Sequence, residues 1–461
     1  MSEPVSRKAT LLVVCIAHFL MPFMMSAVGV ALPAIGREFD ASAVQLGLVE
    51  TIYVLSASIF LLAMGRLGDI KGRRRIFIYG VAVFTFAGGL LSQAWSIESL
   101  IGFRFLQGMG GAMVSATTMA IVVSVFPPEQ RGRALGVAIA SVYAGISCGP
   151  FIGGFLVTEF GWRSIFYLSV PLGFMTWLIT VLRMRGEWAE AAGEPFDWTG
   201  SFVYALSVLA LIVGASNLDQ GMWAWGVLVL SAAGLALFVV LELRTPYPLL
   251  KITLLTGNRV FALSNLAALF NYAATFGVTF FMSLYLQYVH GLPAHRAGLV
   301  LILQPLTQTV LSPLAGRLAD RISAAWVATF GMSLCAVGLA AAATLQADAP
   351  FYKIYGILVL LGFGFAFFSS PNMSVIMGSV EPRYLGIASG LSASMRTLGM
   401  MNSMIIITII FSMLMQGEAV TAATQGQFLL SMRSALWVFC GLCMAGIGCS
   451  LGRVPKLQKE A

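Results

Sequence analysis

Long apolar runs, broken at near-regular intervals by short polar stretches, dominate the chain. To within a few residues they fall at 10–35, 44–66, 76–96, 100–125, 134–157 and 164–184. A polar stretch at 185–197 follows, then runs at 199–216 and 222–243, then a second polar stretch at 244–259. The last block reads 260–288, 297–316, 323–346, 352–378, 385–415 and 428–452. A helix needs about 20 mostly apolar residues to cross a hydrocarbon core, because every backbone amide must be satisfied within its own segment. The pattern therefore predicts an all-α membrane protein of 14 spans, grouped six, two and six. The domains expected are an N-terminal six-helix bundle over 1–184, a two-helix insert with its linkers over 185–259, and a C-terminal six-helix bundle with a tail over 260–461. The first run starts after Arg7 and Lys8 and is too long for a signal-peptide core, so it reads as a retained span.

Composition agrees with lipid as the solvent. Hydrophobic residues make up 59% of the chain and charged residues 10%, against roughly a quarter in soluble domains. The net charge of +8 could suggest a nucleic-acid partner, yet the bases form no arm or patch and are spread between the runs. With both termini cytoplasmic, twenty of the 27 Lys and Arg fall on the cytoplasmic side, Lys456 and Lys459 of the tail among them. Arg37, Arg163, Arg296, Lys353 and Arg433 fall on the other side, and Arg104 and Arg396 remain inside spans. All six cysteines lie within apolar runs, where a thiol packs as a small hydrophobe, so neither disulfides nor a metal site is expected. With three histidines, no clustered metal set and no GxxxxGK[ST] loop, neither a catalytic centre nor a nucleotide site is expected. Trp162-Arg163, between the fifth and sixth runs, reads as an interfacial anchor.

One stretch repeats. Gly65-Arg66-Leu67-Gly68-Asp69 follows the second run of the first block, and Gly316-Arg317-Leu318-Ala319-Asp320 follows the second run of the last block. Duplicated halves that rock about a site near the midplane are a common transporter construction. The first copy continues as Ile70-Lys71-Gly72-Arg73-Arg74-Arg75 and reads as a gating loop. Gly65, Gly68 and Gly72 permit a tight turn and close helix approach, while Asp69 can sit at a helix N-terminus or pair with a neighbouring Arg. The bases alone would also suit any cytoplasmic loop. In the fourth run, Arg104 heads Arg104-Phe105-Leu106-Gln107-Gly108-Met109-Gly110-Gly111. A charge at that depth costs about 3 kcal/mol or more, so it marks function or a structural polar lock. In the fifth, Gly145, Gly149-Pro150 and Gly153-Gly154 make a groove for another helix, with Pro150 bending the chain.

These segments resemble the signatures of the major facilitator superfamily, and most closely those of its fourteen-span drug:proton antiporters. The stretch from Gly65 to Arg75 resembles the family's loop 2–3 motif, whose Asp helps stabilise the outward-open state. The Arg104 stretch is similar to the fourth-span motif, whose Arg is implicated in proton coupling, and Gly145 to Gly154 resembles the exporter motif that importers usually lack. Phe196-Asp197-Trp198-Thr199-Gly200, and Glu242 followed by Pro248-Leu249-Leu250, sit where the fourteen-span branch carries similar stretches. The resemblance covers nearly the whole chain. It implies a major facilitator fold in the cytoplasmic membrane that exports a small drug-like or amphiphilic substrate by alternating access. The energy source implied is the proton gradient, with no bound cofactor, and the chain is expected to act as a monomer. One departure concerns mechanism: the exporters typically carry an Asp in the first span ahead of an Ala-Leu-Pro, and here Ala31-Leu32-Pro33 is preceded by Met24 at that place.

Few other ionisable groups lie in the spans. Glu50 would suit a proton carrier if desolvated, or a hydrated position near an interface, and His18 titrates near neutrality when exposed but could equally fill a helix contact. Arg396 could bind an anionic group or pair with a carbonyl, and Asn271, Gln304, Gln308 and Asn372 could line a substrate cavity or simply bond helix to helix. Two other functions fit the same residues: uptake or facilitated transport of an organic anion or metabolite, and a membrane sensor without transport.

Overall fold

In a computed structural model of the protein, residues 7–217, 221–415 and 424–453 are described; the tail with Lys456 and Lys459 lies outside them. The first block folds as α1 (Arg7–Phe39), α2 (Ala43–Lys71), α3 (Arg73–Ser92), α4 (Ile97–Val125), α5 (Pro128–Phe160) and α6 (Arg163–Arg183). Then come α7 (Trp198–Ser216) and α8 (Met222–Arg244), and the short α9 (Thr253–Gly257). The last block holds α10 (Arg259–Leu284), α11 (Ala294–Leu301), α12 (Leu303–Ala319), α13 (Ala324–Ala343), α14 (Phe351–Gly378), α15 (Leu385–Met415) and α16 (Gln425–Gly452). Fourteen helical segments are long and apolar enough to cross a membrane, and no strand occurs among the described residues.

Three local readings change. The stretch from Gly65 to Lys71 is not a loop but the last turns of α2, and the chain breaks only at Gly72, whose φ of 109° suits glycine. The tenth span divides at Ile302, between α11 and α12. Pro305 accounts for the break, because it has no N–H to return to the carbonyl of Leu301. Trp162 also departs from an interfacial anchor: it is 3% exposed, and its Nε1 donates to Glu38 at 2.8 Å.

Packing pairs α1 with α5, α2 with α4, and α3 with α4 in the first bundle, and α13 with α14 and α10 with α15 and α16 in the second. The bundles meet along α5 with α12 and along α2 with α15, with α4 and α14 joining that seam. Helices α7 and α8 pack on each other, and α7 alone of the two makes extensive contact with α2. α8 is the least buried span, its flanks carrying exposed Val229, Leu230 and Leu243, as expected of a helix whose solvent is lipid on most sides.

Candidate functional site

The repeated motifs lie at one end of the molecule, where each closes a contact between bundles. Asp69, fully buried at the end of α2, accepts the backbone N–H of Gly386 (2.9 Å) and of Ile387 (3.0 Å). Its carboxylate thus caps the N-terminus of α15 in the opposite bundle, where helix N–H groups have no intrahelical partner. The approach is close enough to require glycine: a Cβ on Gly65 would lie 2.4 Å from the carbonyl oxygen of Gly386. Asp320, at the end of α12, meets α5 one turn further in, accepting from Gly132 N (2.6 Å) and Arg133 N (2.8 Å), the fifth and sixth residues of that helix. There a Cβ on Gly316 would lie 2.1 Å from the carbonyl oxygen of Gly132.

Basic residues tie the first copy down. Arg73 opens α3 and is buried, with Nε and Nη2 on Asp69 Oδ1 at 2.9 and 2.6 Å, Nη1 on Ser124 Oγ at 2.9 Å, and Nη2 also on the carbonyl of Pro382. Arg74 turns away and staples α3 to the end of α6, through the carbonyls of Met184 and Val181 (3.1 Å), while its backbone N–H meets Glu187 at 2.9 Å.

From this end the inter-bundle hydrogen bonds climb to mid-depth. Ser389 donates to the carbonyl of Ser115, and Tyr143 OH on α5 reaches Ser369 Oγ on α14 at 3.4 Å. The Tyr143 ring meets Phe365 edge-on at 5.8 Å, and Phe365 meets Tyr272 at 5.2 Å. Nothing in the sequence singles out Tyr272 and Phe365, because an aromatic in an apolar helix carries no mark that separates a cavity wall from ordinary packing.

Further along α2 and α4, towards the opposite end, lies a polar cluster. Arg104 is fully buried, with Nε on the carbonyl of Val49 (3.1 Å), Nη1 on Gln107 Oε1 (2.8 Å) and its Cζ 4.6 Å from the centre of the Tyr53 ring. Its Nη2 is buried without an acceptor. Glu50, one turn before Tyr53, has a buried Oε1 with no donor, pointing at α1 so that a Cβ on Gly29 would sit 3.3 Å from it. Glu50 and Arg104 interact electrostatically, but no ion pair closes between them. Met24, at the place of the exporters' Asp, is fully buried.

The remaining candidates separate. His18 is buried in the seam of α1 and α5, with Nδ1 3.4 Å from the carbonyl of Ala138. The face Gly145, Gly149, Gly153 lies in the same seam, against Phe19, Ser26 and Ala27 of α1, whereas Gly154 is looser and Pro150 is exposed. Arg396 lies on α15 at mid-depth, where its field reaches His18, Tyr53 and Tyr143, and it has no carboxylate partner among the described residues. Asn271 is buried beside the thiol of Cys335, and Gln304 and Gln308 are buried on α12. Asn372 is engaged elsewhere: its Oδ1 accepts from Arg453, which also binds Ser264 Oγ and Ser450 Oγ, each at 2.9 Å. Burial brings the Arg453 guanidinium down to about 10. Among the described residues no cluster of His, Cys, Asp and Glu could hold a metal ion.

Against known proteins, the family model described as Major Facilitator Superfamily matches residues 14–401 and 264–460. The riboflavin transporter RibZ of Clostridioides difficile is 28% identical over 458 residues, 98% of each chain. The multidrug resistance protein Stp of Mycobacterium tuberculosis is 31% identical over 400 residues, 85% of this chain and 73% of that protein. The tetracenomycin C resistance and export protein of Streptomyces glaucescens is 30% identical over 398 residues, covering 85% and 73%. Among solved structures, the human organic anion transporter MFSD10 (TETRAN) superposes with a TM-score of 0.70 over 96% of this chain and 99% of that one, at 14% identity.

Proposed function

The chain belongs to the Major Facilitator Superfamily and is a multi-pass membrane transporter, and we propose that it exports small drug-like or amphiphilic molecules across the cytoplasmic membrane by proton antiport. In this reading two six-helix bundles rock about the level of Tyr143 and Arg396, with α7 and α8 as an inserted pair and the chain acting as a monomer. The end closed by Asp69 and Asp320 faces the cytoplasm with both termini, as the distribution of bases favours. Export is supported by the Gly145, Gly149, Gly153 face against α1 and by the relatives named for multidrug resistance and for tetracenomycin C export.

The observation that carries proton coupling is the buried Oε1 of Glu50 without a donor, beside an Arg104 whose Nη2 lacks an acceptor. A carboxyl left unsatisfied in hydrocarbon is costly unless it exchanges a proton or a partner during the cycle. It points at Gly29 of α1, beyond Met24, so in this reading α2 supplies the acid that is missing from α1 at the place of Met24. The test is proteoliposome transport of ethidium and of riboflavin under an imposed pH gradient. Gradient-driven flux should be lost in Arg104→Ala and fall about tenfold or more in Glu50→Gln, while exchange without a gradient persists in Glu50→Gln. Full gradient-driven flux in Glu50→Gln would remove that residue from the mechanism.

A second reading is favoured by Arg396 alone, a mid-depth cation with no carboxylate partner: transport, in either direction, of an organic anion. Arg396→Ala would then abolish uptake of such an anion while sparing ethidium, and comparison of inverted with right-side-out vesicles gives the direction.

A further inference from the structure

At the closed end, four separate chain segments line a half-open cavity of about 90 Å³, with Arg66, Glu194, Tyr247, Lys251, Arg383 and Tyr384 in its walls. One water needs about 10–15 Å³ of such space, so the cavity can take a group of several heavy atoms. Three cations face one carboxylate. Arg66, 3% exposed, pairs through Nη2 with Glu194, while its Nε and Nη1 are buried with no acceptor. The other oxygen of Glu194 takes Arg383 Nη2 at 3.0 Å. Lys251 Nζ donates to Tyr384 OH at 2.8 Å, and Lys251 and Arg383 each stand 4.9 Å from the centre of the Tyr384 ring. Glu194 thus answers two of the three cations, Lys251 has only a phenol, and two guanidinium nitrogens of Arg66 go without a partner. Three cations against one carboxylate leave the cavity with an excess of positive charge, which an anion with several acceptor oxygens offsets by charge-assisted hydrogen bonds.

We propose that this cavity binds a phosphate-class oxyanion, supplied by an anionic lipid headgroup or as free phosphate. Because Arg66 belongs to α2, Lys251 to the stretch after α8, and Arg383 and Tyr384 to the entry of α15, the bound anion ties first bundle, insert linker and second bundle together beside the Asp69 contact. Occupancy therefore stabilises the conformation with this end closed. The inference does not rest on which substrate is carried or on what drives it.

The test is thermal unfolding of the purified full chain in neutral detergent. Inorganic phosphate is titrated at constant ionic strength against chloride, and in parallel phosphatidylglycerol is titrated against phosphatidylcholine. The wild type should show a saturable rise in Tm in at least one series. In Lys251→Gln and in Arg383→Gln, two independent surface-side changes, the half-saturating amount should rise about tenfold, as expected for loss of one charge-assisted hydrogen bond. A response to phosphate identifies a soluble anion, and a response to phosphatidylglycerol alone identifies a headgroup. A flat wild-type response in both series, or a rise that both variants keep unchanged, overturns the proposal.

Discussion

At the end of α2 and at the end of α12 the same five-residue pattern sets a carboxylate on two backbone N–H groups of the opposite bundle across a pair of glycines. The surroundings differ. Asp69 is fully buried and doubly bonded by Arg73, the first residue of α3. Asp320 is only partly buried, and the first residue of α13, in the place of Arg73, is Ala324. The glycine pairs set how near the bundles can come, and they are alike in both copies. The charges set how firmly each contact holds once made, and there the first copy has an ion pair that the second lacks. Duplication has thus preserved the geometry of closure while concentrating its strength on one side of the seam.

The largest effect expected of a single change is therefore at Asp69. Asp69→Ala removes the cap of α15 and leaves Arg73 as a buried guanidinium without its carboxylate, which costs about 3–5 kcal/mol. That shifts the closed-end conformation by a factor of about 100 or more. Proteoliposome flux should fall below detection while the protein still inserts and purifies. Flux near the wild-type level would show that this contact does not limit the cycle.

Asp320→Ala should be milder. It removes two hydrogen bonds to backbone N–H groups of α5 but strands no charge, a loss of about 1 kcal/mol, or a few-fold in flux. If Asp320→Ala proves as damaging as Asp69→Ala, the asymmetry drawn from Arg73 is wrong, and the two copies contribute equally.

Much of this plan is legible in the chain, because the membrane imposes its demands on composition: each span must be long, apolar and helical, so the fourteen runs mark fourteen helices. The acid at each repeat is legible too, since Asp69 beside Arg73 offers both a cap and an ion pair. What escapes is anything decided by residues far apart. Gly386 and Gly132 sit more than one hundred and eighty residues from the glycines they meet, and neither stands out among 48 glycines. Gly65 to Lys71 reads as a loop because glycines and charges usually break helices. Here contact with α15 supplies what intrinsic propensity does not. Asn372 and Glu194 show the same limit: one holds Arg453 and the other Arg66 and Arg383, and no periodicity marks either pairing.

The smallest expected effect is the most discriminating, since it adds strength where the second copy is weak. Ala324 opens α13 as Arg73 opens α3, and each stands four residues after its Asp across a break in the helix. Ala324→Arg therefore offers Asp320 the ion pair that Asp69 already has. Because this site is partly exposed, the gain is about 0.5 kcal/mol, as for a surface pair, and it should fade at high salt. A shift this small is measurable as a rise in Tm that disappears when Asp320→Ala is combined with it, the coupling expected of two residues in contact. Flux should change in the opposite sense, slowing slightly, because a firmer closed end opens less often. Should the rise in Tm survive the loss of Asp320, the new arginine acts through some other neighbour, and the equivalence of the two copies ends at their backbone.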